Sequence, residues 1–184
     1  MDYTFKKFQK DALVRLLGID KYKKILNMFN DKKVDLTSDE FTDCFNGFYK
    51  VRRGDDWQQD YYKFFNNNRN NKNISFDEIL DYMYKKTGNI EASFSSKMLA
   101  TINPKMPIWD QYVLKNLGIK VIGKTKEARL KNTKEVYKKI IDEVENTLKD
   151  EKIQDAINDF RKYFSDYDIT DVKILDFILW NDRD

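Results

Sequence analysis

Gly88-Asn89-Ile90-Glu91-Ala92-Ser93-Phe94-Ser95-Ser96-Lys97-Met98-Leu99-Ala100-Thr101-Ile102-Asn103-Pro104-Lys105-Met106-Pro107-Ile108-Trp109-Asp110-Gln111-Tyr112-Val113-Leu114-Lys115-Asn116-Leu117-Gly118 is the stretch on which the reading of this chain turns. Phe94, Met98 and Ile102 recur at helical spacing, so a helix is predicted from about residue 91 to 102. Asn103 to Pro107 is a hard break, because proline cannot continue a helix interior and restricts the residue before it. Asp110 then opens a second helix that ends at Gly118. Gly88 in turn closes a helix that comes before, as a left-handed C-cap.

Outward from this segment the pattern stays helical. On the N-terminal side, Ser75 with Glu78 makes a capping box ahead of Ile79, Leu80, Tyr82 and Met83. Residues 66–73 are Asn-rich, without a hydrophobic period, and are predicted as a loop. Trp57, Tyr61, Tyr62, Phe64 and Phe65 mark a helix, preceded by a turn at 52–56. Thr37 with Glu40 reads as another capping box, before Phe41, Phe45, Phe48 and Tyr49. Residues 21–30 form a helix on Tyr22, Ile25, Leu26 and Phe29, and 5–17 form a first one, ended by Gly18. On the C-terminal side, a short apolar piece at 119–122 ends in Gly123. Thr125 opens a long helical region with Val136, Ile140, Ile141, Val144 and Leu148 as a stripe. Ile153, Ile157, Phe160 and Phe164 make the next stripe, and Thr170 caps the last helix. The expectation is an all-α protein: a single compact helical bundle of about nine or ten helices, one domain over 1–184.

Composition agrees and excludes. The 184 residues hold only 6 Gly and 2 Pro, too few for the tight turns of a β-sandwich or barrel. Apolar residues make up 41%, enough for a core. Histidine is absent, which removes Ser-His-Asp and Cys-His devices and His-ligated metals. Cys44 stands alone, so no internal disulfide, Cys-based zinc site or iron–sulfur cluster is expected. No signal peptide or membrane span is read, and a reducing, cytoplasmic setting is expected. The net charge is +3, unevenly spread. Residues 115–139 hold nine basic and two acidic residues, net +7; residues 140–184 hold six and thirteen, net −7. Such blocks are either solvated helix faces or a phosphate-binding face beside a repelling tail.

The order helix, turn, small-residue helix, Pro-bounded loop, Asp, helix resembles the catalytic core of the helix-hairpin-helix DNA glycosylases. That superfamily holds endonuclease III, the adenine glycosylase MutY and the 8-oxoguanine glycosylases. Met106-Pro107-Ile108-Trp109-Asp110-Gln111-Tyr112-Val113 looks like its apolar-Pro-apolar-x-Asp-x-x-Val signature. Phe94-Ser95-Ser96-Lys97-Met98-Leu99 is similar to the helix before that loop in bacterial 8-oxoguanine-glycosylase-fold proteins. The motif-bearing core would be about residues 76–118. The resemblance implies excision of a damaged or mispaired base from DNA, with or without lyase activity, without a cofactor, and with Asp110 as the catalytic carboxylate. The chemistry suits the composition. Breaking the base–sugar bond develops positive charge on the sugar, which a fixed carboxylate stabilises, and the base must leave the stack for an aromatic pocket.

Two departures stand beside the likeness. The family's hairpin is Gly-apolar-Gly, whose N–H groups approach phosphate; here Gly88 is followed by Asn89-Ile90-Glu91. Lys97 also lies about one and a half helical turns too close to Asp110 for the family's Schiff-base Lys, and Ser93 falls nearer to that slot.

Each candidate carries an ordinary reading as well. Asp110 is a favoured N-cap. Lys97 is a lyase nucleophile, a phosphate contact or a snorkelling surface Lys. Ser93, Ser96 and Ala100 make a small-residue face, for a close helix contact or for a DNA contact. Lys124, Lys126, Arg129, Lys131 and Lys134, with Arg52, Arg53 and the Gly88 backbone, are the candidate DNA contacts. Trp109, Trp57 and Tyr61 are candidate pocket walls or core. Gln58 and Gln59 either read a base edge or face solvent. Two other functions fit the same residues: a DNA-binding protein of this fold without the chemistry, and a helical protein-interaction module.

Overall fold

The computed structural model describes residues 18–116 and 118–181. The helix expected over 5–17 lies outside these, as do the side chains of Tyr112, Val113 and Trp180. Among the described residues there are nine helices and no strand. They are α1 (Ile19–Asn30), α2 (Asp39–Tyr49), α3 (Asp55–Asn68), α4 (Phe76–Thr87), α5 (Ala92–Ile102), α6 (Gln111–Asn116), α7 (Lys126–Thr147), α8 (Glu151–Tyr163) and α9 (Asp171–Asn181). Contacts gather the chain into two compact units. One is Gly18–Asn103, with α1 to α5; the other contains Pro104–Asp184, with α6 to α9. None of the described helices is long and apolar enough to cross a membrane.

The first unit is held by aromatic packing. α1 turns Ile19, Tyr22, Ile25, Met28 and Phe29 inward. α2 adds Phe41, Phe45 and Tyr49, and α3 adds Tyr61, Tyr62 and Phe65. Their rings meet mostly edge to face: Phe45 and Tyr62 at 5.9 Å and 88°, Phe41 and Phe65 at 5.8 Å and 66°. This arrangement suits the ring quadrupoles and adds roughly 0.5–1.5 kcal/mol per pair beyond burial. The hydroxyls of Tyr61 and Tyr62 find partners. The Tyr62 hydroxyl donates to Asn46 Oδ1 at 2.5 Å, and Asn46 Nδ2 donates to Gln58 Oε1 at 2.7 Å.

Local signals placed most helix ends. At α4 the expected capping box forms: Glu78 N–H donates to Ser75 Oγ at 3.2 Å and Ser75 N–H to Glu78 Oε2 at 2.8 Å. The Ser75 hydroxyl, which donates to Glu78 Oε2 at 2.7 Å, and then the Ser75 N–H hold the Glu78 carboxyl below its ordinary pKa. Gly88 closes α4 at φ 66°. The box expected at Thr37 does not form. α2 starts at Asp39 with Ser38 in the cap position. Both the N–H and the hydroxyl of Thr37 donate to Asp35 Oδ1 at 2.9 Å, so the Asp35 turn takes the group that would have capped the helix.

The Asn-rich segment also differs from expectation. α3 runs on to Asn68, and the residues after it fasten two other helix ends. The Arg69 guanidinium is buried. It donates to the carbonyls of Met28 at 2.7 Å, Phe29 at 2.6 Å, Asp31 at 2.7 Å and Val34 at 2.6 Å. These include the last carbonyls of α1, which have no partner within the helix. Lys72 Nζ donates to the Ile102 carbonyl at the end of α5, at 2.8 Å.

In the second unit α7 buries Thr133, Val136, Tyr137 and Ile140. Thr125 caps it, accepting from Ala128 N–H at 3.2 Å, and Asp150 caps α8, accepting from Lys152 N–H at 2.9 Å. Phe160 of α8 stacks on Phe177 of α9 at 6.2 Å. The Thr170 hydroxyl accepts from Lys173 N–H at 3.3 Å, which makes it the expected cap of α9.

Candidate functional site

The Pro-bounded loop is held at both of its prolines. The Tyr137 hydroxyl, from α7, donates to the Pro107 carbonyl at 2.7 Å. The Thr170 hydroxyl donates to the Pro104 carbonyl, also at 2.7 Å. Burial pushes the Tyr137 pKa up, so that hydroxyl stays a donor at any working pH. Just past the second pin Ile108 and Trp109 are buried. Asp110 follows, half-buried, and its carbonyl accepts from Leu114 N–H at 3.1 Å, which starts α6. Neither Tyr137 nor Thr170 was selected from the sequence for this role, because each lies far along the chain from its proline. Tyr137→Phe removes a buried carbonyl's donor, and a stability loss of about 1–2 kcal/mol is expected in urea denaturation. A loss near zero would mean that the bend holds itself.

Lys97 is not a surface residue. Its exposure is 9%, and α5 is covered on nearly all sides. Nine of its eleven residues are buried, Ser96 and Ala100 among them, where the period showed only one apolar face. Lys97 Nζ donates to Ser93 Oγ at 2.8 Å and lies 5.0 Å from the centre of the Phe94 ring and 5.9 Å from that of Tyr49. A desolvated ammonium between aromatic faces gains cation–π energy. Lys97 belongs to the first unit and Asp110 to the second.

At the hairpin, the Gly88 N–H donates to the Tyr84 carbonyl at 2.8 Å and the Asn89 N–H to Thr87 Oγ1 at 3.1 Å. A methyl group at Gly88 would meet nothing within 4 Å, so this glycine answers the helix end and not a close approach. Glu91 turns inward, with 5% exposure. Its Oε2 pairs with Arg53 at 3.0 Å and its Oε1 accepts from Trp57 Nε1 at 3.2 Å. Trp57 stacks on Tyr61 at 4.8 Å and 15°, and Tyr61 itself has no exposed surface and donates to the Phe94 carbonyl at 2.9 Å. Trp57, Tyr61 and Arg53 thus come together around Glu91, while Trp109 lies buried in the other unit. Arg52 is exposed. Glu91→Ala takes the acceptor from the Trp57 N–H and turns the half-exposed Arg53 to water, and a loss of about 1–2 kcal/mol is expected, with Glu91→Gln retaining part of it through Trp57. Equal melting temperatures for wild type and Glu91→Ala would contradict this.

The other basic candidates gather in the second unit. Lys124 precedes α7; Lys126, Arg129 and Lys131 are exposed on its first turns, and Lys134 is half-buried. A separate open cleft of about 540 Å³ lies in the first unit, walled by Thr37, Thr42, Asp55, Gln58 and Gln59 with Tyr62 below. None of the motif residues lines it. Gln58 is held there by Asn46 and by its own bond to the Arg53 carbonyl at 2.6 Å. Among the described residues no group of three or more Asp, Glu or Cys side chains could hold a metal.

By fold, then, this is an all-α protein, with a pinned, Asp-bearing bend and an exposed basic surface in one of its two units. Compared with known protein families, curated proteins and solved structures, the chain matches none.

Proposed function

We propose that the protein removes a damaged or mispaired base from DNA, with Asp110 as the carboxylate beside the sugar. The observation that carries this reading is the pinned bend. A carboxylate that stabilises developing charge must be held in position before the reaction, so that no reorganisation is needed at that moment. Two hydroxyl-to-prolyl bonds hold the backbone just ahead of Asp110, and Asp110 is left partly open where a helix starts. The charge order of α7 supports a polyanionic partner. Lys126, Arg129, Lys131 and Lys134, with Glu127 as the one acid among them, lie toward its N-terminus and Asp142, Glu143 and Glu145 toward its C-terminus, largely opposite to what a helix dipole favours. Helix stability does not call for that order; phosphate binding does. Lys97 is the second-rank candidate, as a desolvated lyase nucleophile or a DNA contact.

A second reading, a DNA-binding protein without the chemistry, is favoured by the hairpin. The N–H groups of Gly88 and Asn89 already have internal acceptors, and Arg53 is engaged with Glu91. The test is release of abasic product from duplexes carrying mixed lesions, alongside binding at low salt. Base release that Asp110→Asn abolishes supports the enzyme. Binding without release in either protein supports the second reading. No affinity for duplex at low salt leaves a protein-interaction module.

A further inference from the structure

We propose that the open cleft of the first unit binds a free basic amino acid, a small molecule with two cationic groups and one carboxylate. Asp110, Lys97 and the basic residues of the second unit lie outside this cleft, so the site is independent of any activity on DNA. Its walls come from the start of α2 and from one face of α3, where Asp55, Gln58, Gln59, Tyr62 and Lys63 recur at helical spacing. Asp55 and Lys63 stand at opposite ends of that face, about 12 Å apart along the helix axis.

Four polar side chains of the lining have nothing to bind within the chain. Asp39, Asp55, Gln59 and Lys63 are exposed and make no side-chain hydrogen bond or ion pair among the described residues. Their charged neighbours do: Glu40 pairs with Lys24 and Asp60 with Lys86, both at 3.3 Å. Three and four residues from Lys63 stand only Gln59, Asn66, Asn67 and the engaged Asp60. The helix dipole favours an acid at the start of α2 and of α3, but it gives no reason for both to open on one cleft. Behind these groups the wall is fixed. Gln58 accepts from Asn46 at 2.7 Å and donates to the Arg53 carbonyl at 2.6 Å, and the Tyr62 hydroxyl donates to Asn46. A wall held before binding loses little freedom when the site fills.

The charges of the lining select the occupant. They are two carboxylates and one ammonium; the amides and hydroxyls are neutral. Their complement carries two positive charges and one negative, which is the charge set of a free basic amino acid at neutral pH. Its α-ammonium and side-chain cation answer Asp39 and Asp55, and its carboxylate answers Lys63, in charge-assisted bonds. The volume of about 540 Å³ lies within the range of small-molecule sites. Other small molecules fit the charges less well. A diamine brings nothing for Lys63, a neutral amino acid leaves one carboxylate unanswered, and an acidic one meets repulsion.

The experiment is calorimetric titration of the full chain with L-arginine, L-lysine, L-glutamate and agmatine, which is arginine without its carboxylate. L-arginine or L-lysine is expected to bind, agmatine to bind about tenfold more weakly than L-arginine, and L-glutamate to give no binding. Asp39→Asn and Asp55→Asn should each weaken L-arginine about tenfold. Lys63→Met should weaken L-arginine about tenfold and leave agmatine unchanged, because agmatine has no group for that lysine. All three positions are exposed, and the variants should keep the wild-type melting temperature. No binding of L-arginine or L-lysine at millimolar concentration overturns the proposal. Wild-type affinity for L-arginine in all three variants overturns it too, by placing the bound molecule elsewhere. Agmatine binding as tightly as L-arginine, with Lys63→Met silent, reduces the cleft to a plain cation site and overturns the assignment of an amino acid.

Discussion

Asp110→Asn is expected to lower base release by about 10²–10⁴-fold while the fold and the affinity for duplex persist. At 1.36 kcal/mol per decade, that is about 2.7–5.4 kcal/mol of transition-state stabilisation. The substitution isolates charge. Asn caps a helix about as well as Asp, so α6 should begin as before. The Leu114-to-Asp110 bond that opens α6 uses the backbone carbonyl and is untouched. The pins on Pro104 and Pro107 come from Thr170 and Tyr137 and do not involve the carboxylate. On the proposed reading, what disappears is the negative oxygen beside the sugar. On the same reading, removing a negative group from the surface that meets DNA should leave binding equal or slightly tighter. Unchanged release by the variant would assign the chemistry elsewhere or to a contaminant. Release lost together with binding would mean that the residue serves only to seat the duplex.

The largest effect on stability is expected at Arg69. Arg69→Ala should cost about 4 kcal/mol, read as a lower urea midpoint with an unchanged slope. Four carbonyls from α1 and the turn after it converge on one guanidinium, at 2.6–2.7 Å. Bonds from a charged donor are worth about 1.5–3 kcal/mol each, and four sharing one donor do not add fully. The guanidinium also lies 5.5 Å from the centre of the Phe29 ring. Burial lowers its pKa and the nearby carboxylates of Asp31 and Asp35 oppose that shift. Arg69→Lys should recover little. An ammonium is a compact donor, without the planar fork that reaches acceptors from two sides. Against a typical total of 5–15 kcal/mol, the Ala variant would sit near the edge of folding. A loss under about 1 kcal/mol would show that water replaces the guanidinium without penalty.

The helices were legible where the signal is local. Ser75 with Glu78, Gly88, Thr125 and Thr170 all act within a turn of their own position, and each lies where its pattern put it. Thr37 misled because an acceptor two residues earlier, Asp35, competes for the same groups. Lys97 was read against the period of one helix, but nearly every face of that helix is buried. The Asn-rich segment offered no period, and its work is done by Arg69 and Lys72 on partners 30 to 41 residues away. The same holds at the bend. Its turn was visible in Pro104 and Pro107, whereas the hydroxyls that hold it come from 30 and 66 residues further on. Gly123 looked like a stop; its need for open space against Arg129 is a tertiary fact.

The continuity of Gly18–Asn103 bears on how the chain is made. Every residue of that unit has left the ribosome once Asn103 emerges, so its aromatic core and the Arg69 fastening can form while the rest is still being translated. The other unit has to wait, since the hydroxyl that holds Pro104 belongs to Thr170, 66 residues further along the chain. Nascent chains halted just beyond Asn103 should therefore already protect the first unit, while the bend that presents Asp110 is fastened only after Thr170 has emerged.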